Sequence, residues 1–456
     1  MKIWNVEWKI LMITRWNRKR KKFEENKNKR IMRIKQRKNR CKKYACMNMK
    51  EIYNTNKVFH FLKGKNFGEK KNDSWTNNLK RKVCIPIPKS FSVSENPDET
   101  LQTLKELFFY GSNLKIHEIE IDHSECINLE IAASAIMDII VLAIREYHRK
   151  NKSEIYFSGQ IPPQGRVKDI FMASGLASHM KISMSTEVSV DRDKMKLFKM
   201  KSGYHKSCNS DKTATDLTEY IIQCMNTQGY TLNDMGRNYL GVLFGEVLDN
   251  CEIHGGSDCT WFAHGHYQLS SQSNYCGEVQ LVIFNFGNTI YEQMNSSHTT
   301  AETKEKLQYL NERHQKFFGK EWDVEMLYTL FSLQEGISRL RDQEVPGNRK
   351  RGMGTVRLIE NFQKIGQTHL NRKPLMTITS GHTHIVFDGK YSLKSEEFHD
   401  RVLGIKPRRI IAFNSENDIF LPPDTANVRK TKLFFPGTII SLDFFFDKEY
   451  FKSMVN

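Results

Sequence analysis

One helical stretch, from Leu240 to Gly256, constrains the fold of this chain more than any other segment. Its apolar side chains recur at the i, i+3, i+4, i+7 and i+8 spacing of an amphipathic α-helix. They are Leu240, Leu243, Phe244, Val247, Leu248 and Cys251. The pattern predicts that this face enters a hydrophobic core and that the helix is central to its domain.

Polar residues lie along one edge of the apolar stripe. At about 100° per residue, Glu246, Asn250 and His254 form an i, i+4, i+8 row, whereas Asp249 and Glu252 are predicted to face water. A half-buried carboxylate can act as a general base toward water. An amide oxygen one turn later can help to hold Mg²⁺. The row is a candidate catalytic and metal site, and a plain polar helix edge is the alternative.

A glycine loop about a hundred residues later is the second informative segment. Gly352 and Gly354 stand just before an apolar helical pattern that begins at Val356. Bare backbone amides at a helix N-terminus can bind phosphate. The preceding Arg349, Lys350 and Arg351 are predicted to lie over the phosphates as a charged, mobile lid. A tight turn is the alternative interpretation of an isolated glycine pair.

A buried strand is predicted between these two segments. Its apolar residues form a nearly continuous run; they are Val279, Leu281, Ile283 and Phe284. The strand ends in a polar turn that contains Asn285, Gly287 and Thr289. The chain therefore has the order helix with Glu-x-x-x-Asn, strand with a polar-x-Gly turn, and Gly-x-Gly before a helix.

This order resembles the Bergerat-type ATP-binding fold of the GHKL superfamily. That superfamily includes gyrase B subunits, heat-shock chaperones of the ninety-kilodalton class, histidine kinases and MutL. The resemblance covers roughly residues 213–445, and a Gly437-Thr438 strand near its end is similar to the strand that closes the fold. It implies that Glu246 is the catalytic glutamate and Asn250 the magnesium-binding asparagine.

The resemblance also assigns the contacts with the nucleotide. Asn285 stands where the family usually has the aspartate that accepts a hydrogen bond from the adenine amino group, and Thr289 stands where it has a second glycine. Gly287 matches the glycine two residues on, and Gly352 and Gly354 match the phosphate-loop glycines. Arg349, Lys350, Thr355 and Thr438 are further candidate nucleotide-binding residues. ATP and Mg²⁺ are the cofactors that the resemblance implies.

Residues 84–195 alternate between predicted strands and helices, which is typical of an α/β domain. A strand ending in Asp122-x-Ser124 and a later helical Ala173-Ser-Gly-Leu176 resemble the STAS domain of sulfate transporters and anti-sigma factor antagonists. The resemblance implies a surface that docks a protein partner.

The predicted organisation has three parts. Residues 1–82 form a basic arm that is disordered or only loosely helical when alone. Residues 84–195 form a smaller α/β domain, and residues 213–446 form the ATP-binding domain with a lid insertion at about 291–350. The expected fold class is α/β, combining this smaller domain with an α+β Bergerat two-layer sandwich whose mixed sheet carries helices on one face.

The positive charge is concentrated in the arm. The chain has a formal net charge of +18, but residues 1–50 hold 19 Lys and Arg against three Glu, and residues 51–82 hold eight against three acidic residues. The rest of the chain therefore carries a charge of −3. Such an arm can bind nucleic-acid phosphates by counterion release or anionic membrane lipids, and a solvated tail without a partner is the alternative.

The cysteines and hydropathy favour a cytoplasmic protein. The nine cysteines include no C-x-x-C pair, and the longest apolar run, near Ile131–Ile144, is too short to span a membrane. The favoured function is a Mg-ATP-dependent regulatory switch or an anti-sigma-type ATPase or protein kinase. The alternatives are an ATP-gated homodimeric clamp on nucleic acid, and a scaffold with a degenerate nucleotide pocket.

Overall fold

A computed structural model describes residues 55–68, 82–163, 165–173, 195–205, 207, 209–227, 234–269, 275–337, 354–365, 373–396, 402 and 408–447. The α-helices in these residues are α1 (Thr55–Gly64), α2 (Pro97–Gly111), α3 (Ile131–Lys150), α4 (Arg166–Ala173), α5 (Ser210–Asn226), α6 (Asp234–His254), α7 (Ile290–Met294), α8 (Ala301–His314), α9 (Val324–Phe331) and α10 (Gly354–Ile365). The strands are β1 (Lys82–Pro86), β2 (Ser90–Phe91), β3 (Glu118–Asp122), β4 (Asn128–Leu129), β5 (Tyr156–Gln160), β6 (Met195–Tyr204), β7 (Thr260–Leu269), β8 (Tyr275–Phe286), β9 (Leu375–Phe387), β10 (Lys394–Glu396), β11 (Arg408–Ile410) and β12 (Val428–Asp447).

The N-terminal part is a parallel α/β unit. Its three-stranded sheet has the order β1–β3–β5, and both strand pairs are parallel. Apolar and acidic residues alternate from Glu118 to Asp122, as expected for a strand with one buried face. Ile119 and Ile121 of β3 are buried, and the acidic residues on either side of them are half-buried. The alternation of strands and helices predicted for residues 84–173 is confirmed. Residues 174–194 of the predicted domain lie outside the described residues.

The largest sheet has the order β6–β7–β8–β12–β9, and every neighbouring pair is antiparallel. The prediction of a mixed sheet is therefore wrong for this sheet. The reason is that two helices, α5 and α6, follow β6 and bring the chain back to the end where β6 stops. Thr260, the first residue of β7, consequently pairs with Tyr204, the last residue of β6.

Both faces of the five-stranded sheet are covered. In β8 the odd-numbered residues Val279–Ile283 pack in a cluster with α5, α6 and α10, whereas the even-numbered residues Val282–Phe286 pack in a second cluster with α1, α2 and α3. The prediction of helices on one face only is therefore wrong. A strand buried on both faces reads as a continuous apolar run, which is the pattern that β8 shows.

Helix α3 provides most of the second layer. Nearly all of its first fourteen residues are buried, and it contacts α1, α2, β7 and β8. The described parts of the two predicted domains thus share a hydrophobic core within one compact unit. The coarse class is confirmed: the protein is a mixed α/β protein with several sheets. Across the described residues, we find no helix with the length and hydropathy needed to cross a bilayer.

Part of the predicted arm is folded. Residues 55–68 form α1 and the turn after it, and Val58, Phe59 and Leu62 are completely buried. The Phe59 ring stacks on Tyr147 of α3 with a centroid distance of 3.9 Å. The prediction of a disordered or loosely helical arm is wrong for these residues, which form a helix packed in the core. The basic composition of the surrounding sequence outweighed three apolar side chains at helical spacing. Residues 1–54 lie outside the described residues.

The first part of the predicted lid insertion packs into the core. Leu310 of α8 and Met326 of α9 are completely buried, and both belong to the cluster that covers one face of the large sheet. Hydrophobic burial of this kind fixes a segment in place. Residues 338–350 of the predicted lid lie outside the described residues.

Candidate functional site

The apolar face of helix α6 enters the hydrophobic core, as its periodicity predicts. All six residues of the apolar stripe are at most 5% exposed. Glu246 and Asn250 are half-buried at the edge of this face, as expected for a polar row beside the core. Within the part of the chain that the structure describes, the Asn250 amide makes no hydrogen bond, so its oxygen is available to a ligand. The side chain of His254 lies outside the described residues.

Contrary to the prediction, the acidic residues on the other side of α6 are covered by other parts of the protein. Glu252 is 6% exposed and accepts hydrogen bonds from the Ser210 backbone N at 3.2 Å and from Ser207 Oγ at 3.4 Å. Asp249 is half-buried and accepts from Ser210 Oγ at 3.0 Å. The prediction is wrong because the connection between β6 and α5 covers this side of the helix. Both carboxylates accept hydrogen bonds from Ser210, the first residue of α5.

Glu246 is held by an ion pair. Its Oε1 lies 3.2 Å from Nη1 of Arg357 on α10, and 21% of its side chain is exposed. The contact joins the helix of the predicted catalytic row to the helix that follows the glycine loop. Arg357 lies one turn after Gly354, which begins α10. The helix N-terminus predicted to bind phosphate is therefore close to Glu246.

Asn285 ends β8 and is buried at 3% exposure. Its Oδ1 accepts a hydrogen bond from the Thr438 backbone N at 3.0 Å, and its side chain also hydrogen-bonds to Cys251 of α6. Burial raises the pKa of the Cys251 thiol to about 12, although this hydrogen bond lowers it. An amide oxygen has two lone pairs. The Thr438 N–H uses one of them, and the other lone pair of Oδ1 lies in the same buried environment.

The turn after β8 packs directly on the C-terminus of α6. A Cβ atom at Gly287 would lie 2.5 Å from the carbonyl oxygen of Gly255, and the Asn288 backbone N donates to that oxygen at 2.9 Å. Gly256 has a φ of +90°, which favours glycine. Gly287 is thus required by the close approach of the turn and the helix, whether or not a nucleotide binds there.

Thr438 belongs to a buried polar cluster on the neighbouring strand. Its Oγ1 lies 2.9 Å from Ser380 Oγ, which is also 3.1 Å from the Gly437 carbonyl oxygen. Gly437 has a φ of +148°, and a Cβ atom there would lie 2.0 Å from the Asn285 carbonyl oxygen. Thr438 and Asn285 are therefore brought together, as the resemblance implies.

Thr289 caps a helix. Its Oγ1 accepts from the Glu292 backbone N at 3.1 Å, and Glu292 Oε2 accepts from the Thr289 backbone N at 2.8 Å, which completes a capping box. Glu292 also forms an ion pair with Lys65, at 2.5 Å, just after α1. The threonine at this position thus has a local structural role that glycine cannot fill.

Replacing Thr289 by Ala is expected to lower the free energy of unfolding by about 1–2 kcal/mol, because the cap of α7 loses its acceptor. Ser297→Ala, at an exposed position after the same helix, is the matched control. Urea unfolding monitored by circular dichroism measures both. Equal stability of the two variants would show that the capping box contributes nothing.

The structure brings together only some of the predicted site residues. Glu246, Asn250, Asn285, Gly287 and Thr438 lie around the C-terminal half of α6, while Gly354 and Thr355 begin α10. Arg349, Lys350, Arg351 and Gly352 lie outside the described residues.

Sequence reasoning missed three residues that complete this region: Arg357, Cys251 as a partner of Asn285, and Ser380. Arg357 had a weak signal, since it follows the glycine loop by one turn. Ser380 had none, because its place beside Thr438 depends on the pairing of β9 with β12.

The fold and the site define a mixed α/β protein with a polar site where one central helix, a strand turn and a second helix N-terminus meet. No protein-family model, curated protein or solved structure matches the chain.

Proposed function

We propose that this protein binds Mg-ATP at the C-terminal half of α6, in the manner of the GHKL superfamily, and acts as a nucleotide-dependent regulatory switch. The observation that carries the proposal is the convergence of three predicted segments. Glu246 contacts Arg357 near the start of α10, and Cys251, next to Asn250, contacts Asn285 at the end of β8. Glu246 and Arg357 are 111 residues apart in sequence, and Cys251 and Asn285 are 34 residues apart.

Each part of this arrangement has a matching chemical role. The Asn250 amide oxygen is a hard ligand suited to Mg²⁺, which needs only one or two protein oxygens when phosphates and waters supply the rest. The first backbone amides of α10 have no acceptor within the helix, and such amides suit the phosphates. The Bergerat two-layer sandwich is part of this proposal, with the antiparallel five-stranded sheet and helices α5, α6 and α10 as its layers.

One observation favours a second candidate, a nucleotide-binding scaffold that does not hydrolyse ATP. The ion pair with Arg357 occupies one oxygen of Glu246, and a general base must be free to accept a proton from water. Asn285 also lacks the charge of the usual aspartate. If the ion pair persists when nucleotide is bound, binding would occur without turnover.

Glu246→Gln distinguishes these two candidates. For an ATPase or kinase, the substitution is expected to leave nucleotide affinity nearly unchanged and to lower turnover by on the order of 10²-fold, because the general base is lost. Glu305→Gln, an exposed position on α8, is the control. Phosphate release and calorimetric affinity are measured on each variant. Absence of turnover in the unaltered protein, with binding retained, would favour the scaffold.

A partner and a reaction product would separate a kinase from a clamp. A kinase of the anti-sigma type is expected to transfer the γ-phosphoryl group to a protein that docks on the 84–195 domain. A clamp is expected to double its mass when a non-hydrolysable ATP analogue is added. Light scattering with and without the analogue tests the second case. Helix α3 is covered by the five-stranded sheet, so a docked protein would have to use another surface of that domain.

The basic arm is proposed to bind nucleic-acid phosphates or anionic lipid headgroups. Deleting residues 1–54 leaves α1 intact and removes 19 Lys and Arg against four Glu. The deletion is expected to abolish binding to DNA, RNA and anionic vesicles without changing ATP affinity. In the full chain, the affinity for duplex DNA should fall with salt by a slope of about 0.9 per phosphate neutralised. Equal DNA affinity of the truncated chain would mean that the folded surface, not the arm, binds DNA.

A further inference from the structure

A cavity of about 230 Å³ lies where the N-terminal α/β unit meets the five-stranded sheet. The segment after β2, the residues around β4 and helix α4 form one side of it. The other side is formed by β8, β9 and β12 through Gln280, Leu375, Ser441 and Asp443. No residue of the proposed nucleotide site lines it, so it is a separate feature of the fold.

The charged groups that line the cavity are mostly acidic. Glu95, Glu130 and Asp443 contribute three carboxylates against the single guanidinium of Arg166. Arg166 is in turn paired with Glu278, which is 3% exposed. The guanidinium of Arg166 is therefore paired with Glu278, which does not line the cavity. The side chains that line the cavity carry an excess of negative charge.

Glu130 carries this negative charge without a cationic partner in the part of the chain that the structure describes. The residue is 7% exposed, and its carboxylate accepts hydrogen bonds from Ser92 Oγ at 2.8 Å, from Ser94 N and Oγ at 2.9 and 2.7 Å, and from Ser441 Oγ at 2.5 Å. All four donors are neutral. Among the described residues, no cationic side chain pairs with Glu130. A buried carboxylate without a cation is costly, and buried charges in proteins are normally paired.

Glu95 brings a second carboxylate to the same cavity, on an exposed side chain. Its carboxylate accepts from Asn128 Nδ2 at 2.6 Å and from Ser90 Oγ at 3.5 Å, and within the described part of the chain it makes no ion pair. Arg429 reaches only the backbone carbonyl of Glu95, at 3.5 Å. Glu130 is thus a buried carboxylate that pairs with no cation among the described residues, and the Oε1 atom of Gln280 is buried at the same cavity without a hydrogen-bond partner in that part of the chain. Together with the second negative charge of Glu95, these groups point to a cation that comes from outside the protein.

We propose that this cavity binds a small organic cation that carries two ammonium groups on a short aliphatic chain. The serine and glutamine oxygens in the wall are suitable acceptors for ammonium N–H groups, and Val167, Ile170 and Leu375 offer an apolar wall to methylene groups. A cavity of about 150 Å³ holds benzene, so this one holds a molecule of the size of putrescine or somewhat larger.

A divalent metal ion fits the same charge less well. In the described residues, no group of three or more His, Cys, Asp or Glu side chains is arranged to hold a metal ion. Glu130 and Glu95 are instead held by different serine and asparagine donors. Two carboxylates that are held separately match two ammonium groups better than a single compact ion.

Calorimetry of the full-length chain with putrescine tests the proposal. 1,4-Butanediol, which has the same length without the charges, and Mg²⁺ are the comparison ligands. Glu95→Gln is the test variant, because Glu95 is exposed enough to be replaced without unfolding the protein, and Glu99→Gln at an exposed position four residues away is its control. Equal thermal unfolding midpoints of the two variants establish that both are folded.

Saturable binding of putrescine but not of the diol is expected, and Glu95→Gln should weaken it about tenfold or more while Glu99→Gln leaves it unchanged. Absence of saturable putrescine binding would overturn the proposal. Equal affinities of the two variants, or displacement of putrescine by Mg²⁺ at equal concentration, would overturn it as well.

Discussion

Lowering the pH from 7 to about 5 is expected to unfold this protein cooperatively. Four buried histidines are held neutral in the folded state: burial lowers the pKa of His123 and His264 to about 4, and that of His266 and His384 to about 3. The unfolded chain has ordinary histidines with a pKa of about 6.5. Between these values only the unfolded state binds the protons, so acid favours unfolding.

The expected size of this effect is large. Above pH 6.5 both states are neutral at these positions, and the four groups contribute no pH dependence. Below it, each group costs about 1.4 kcal/mol per pH unit until its folded pKa is reached. At pH 5.5 four such groups cost roughly 5 kcal/mol together, which is comparable with the whole stability of many domains.

Urea unfolding at a series of pH values between 7.5 and 5, monitored by circular dichroism, measures the effect. His266→Leu is the informative variant, because His266 is completely buried and neither ring nitrogen has a hydrogen-bond partner among the described residues. The free energy of unfolding of this variant should depend less steeply on pH, by the contribution of one histidine proton. His298→Gln, at an exposed position, should not change this dependence. A stability that is flat from pH 7 to 5 would contradict the neutral state of these histidines.

Asn250→Ala is expected to weaken Mg²⁺-dependent nucleotide binding by on the order of 10²-fold, because the helix offers no other amide oxygen one turn from Glu246. The free energy of unfolding should change little, since Asn250 is only half-buried and makes no hydrogen bond to the described residues. Binding of a fluorescent ATP analogue, titrated with and without Mg²⁺, measures the loss.

Two further substitutions test whether the loss is specific to the metal. Asn250→Asp should retain Mg²⁺-dependent binding, because a carboxylate oxygen is also a hard ligand. Asn238→Ala, at an exposed position on the same helix, should behave as the unaltered protein. If Asn250→Ala binds as tightly as Asn238→Ala in the presence of Mg²⁺, the assignment of the metal ligand is wrong.

Periodicity predicted the elements of the site but not what covers them. The stripe of α6, the apolar run of β8 and the start of α10 at Gly354 all follow from local spacing, and the structure confirms them. The position of Glu252 does not follow from its helix. Its burial depends on the connection that contains Ser207 and Ser210, about forty residues earlier in the chain.

Packing between segments distant in sequence also explains which features of the fold could not be predicted. Glu130 and Ser441 are hydrogen-bonded although 311 residues separate them in sequence, and this contact joins the two parts that were predicted as separate domains. Phe59 was hidden in a basic segment, and its partner Tyr147 lies on α3. A pattern within one element reports which face is apolar, whereas the partner of that face is set by topology.

Isothermal titration calorimetry of the full-length protein with a non-hydrolysable ATP analogue tests the central claim most directly. The titration is performed in the presence of Mg²⁺ and again with the metal chelated. Binding at the C-terminal half of α6 predicts one saturable site per chain in the presence of Mg²⁺ and a much weaker affinity without it. An absence of binding heat under both conditions, or an affinity that does not depend on Mg²⁺, would contradict the claim.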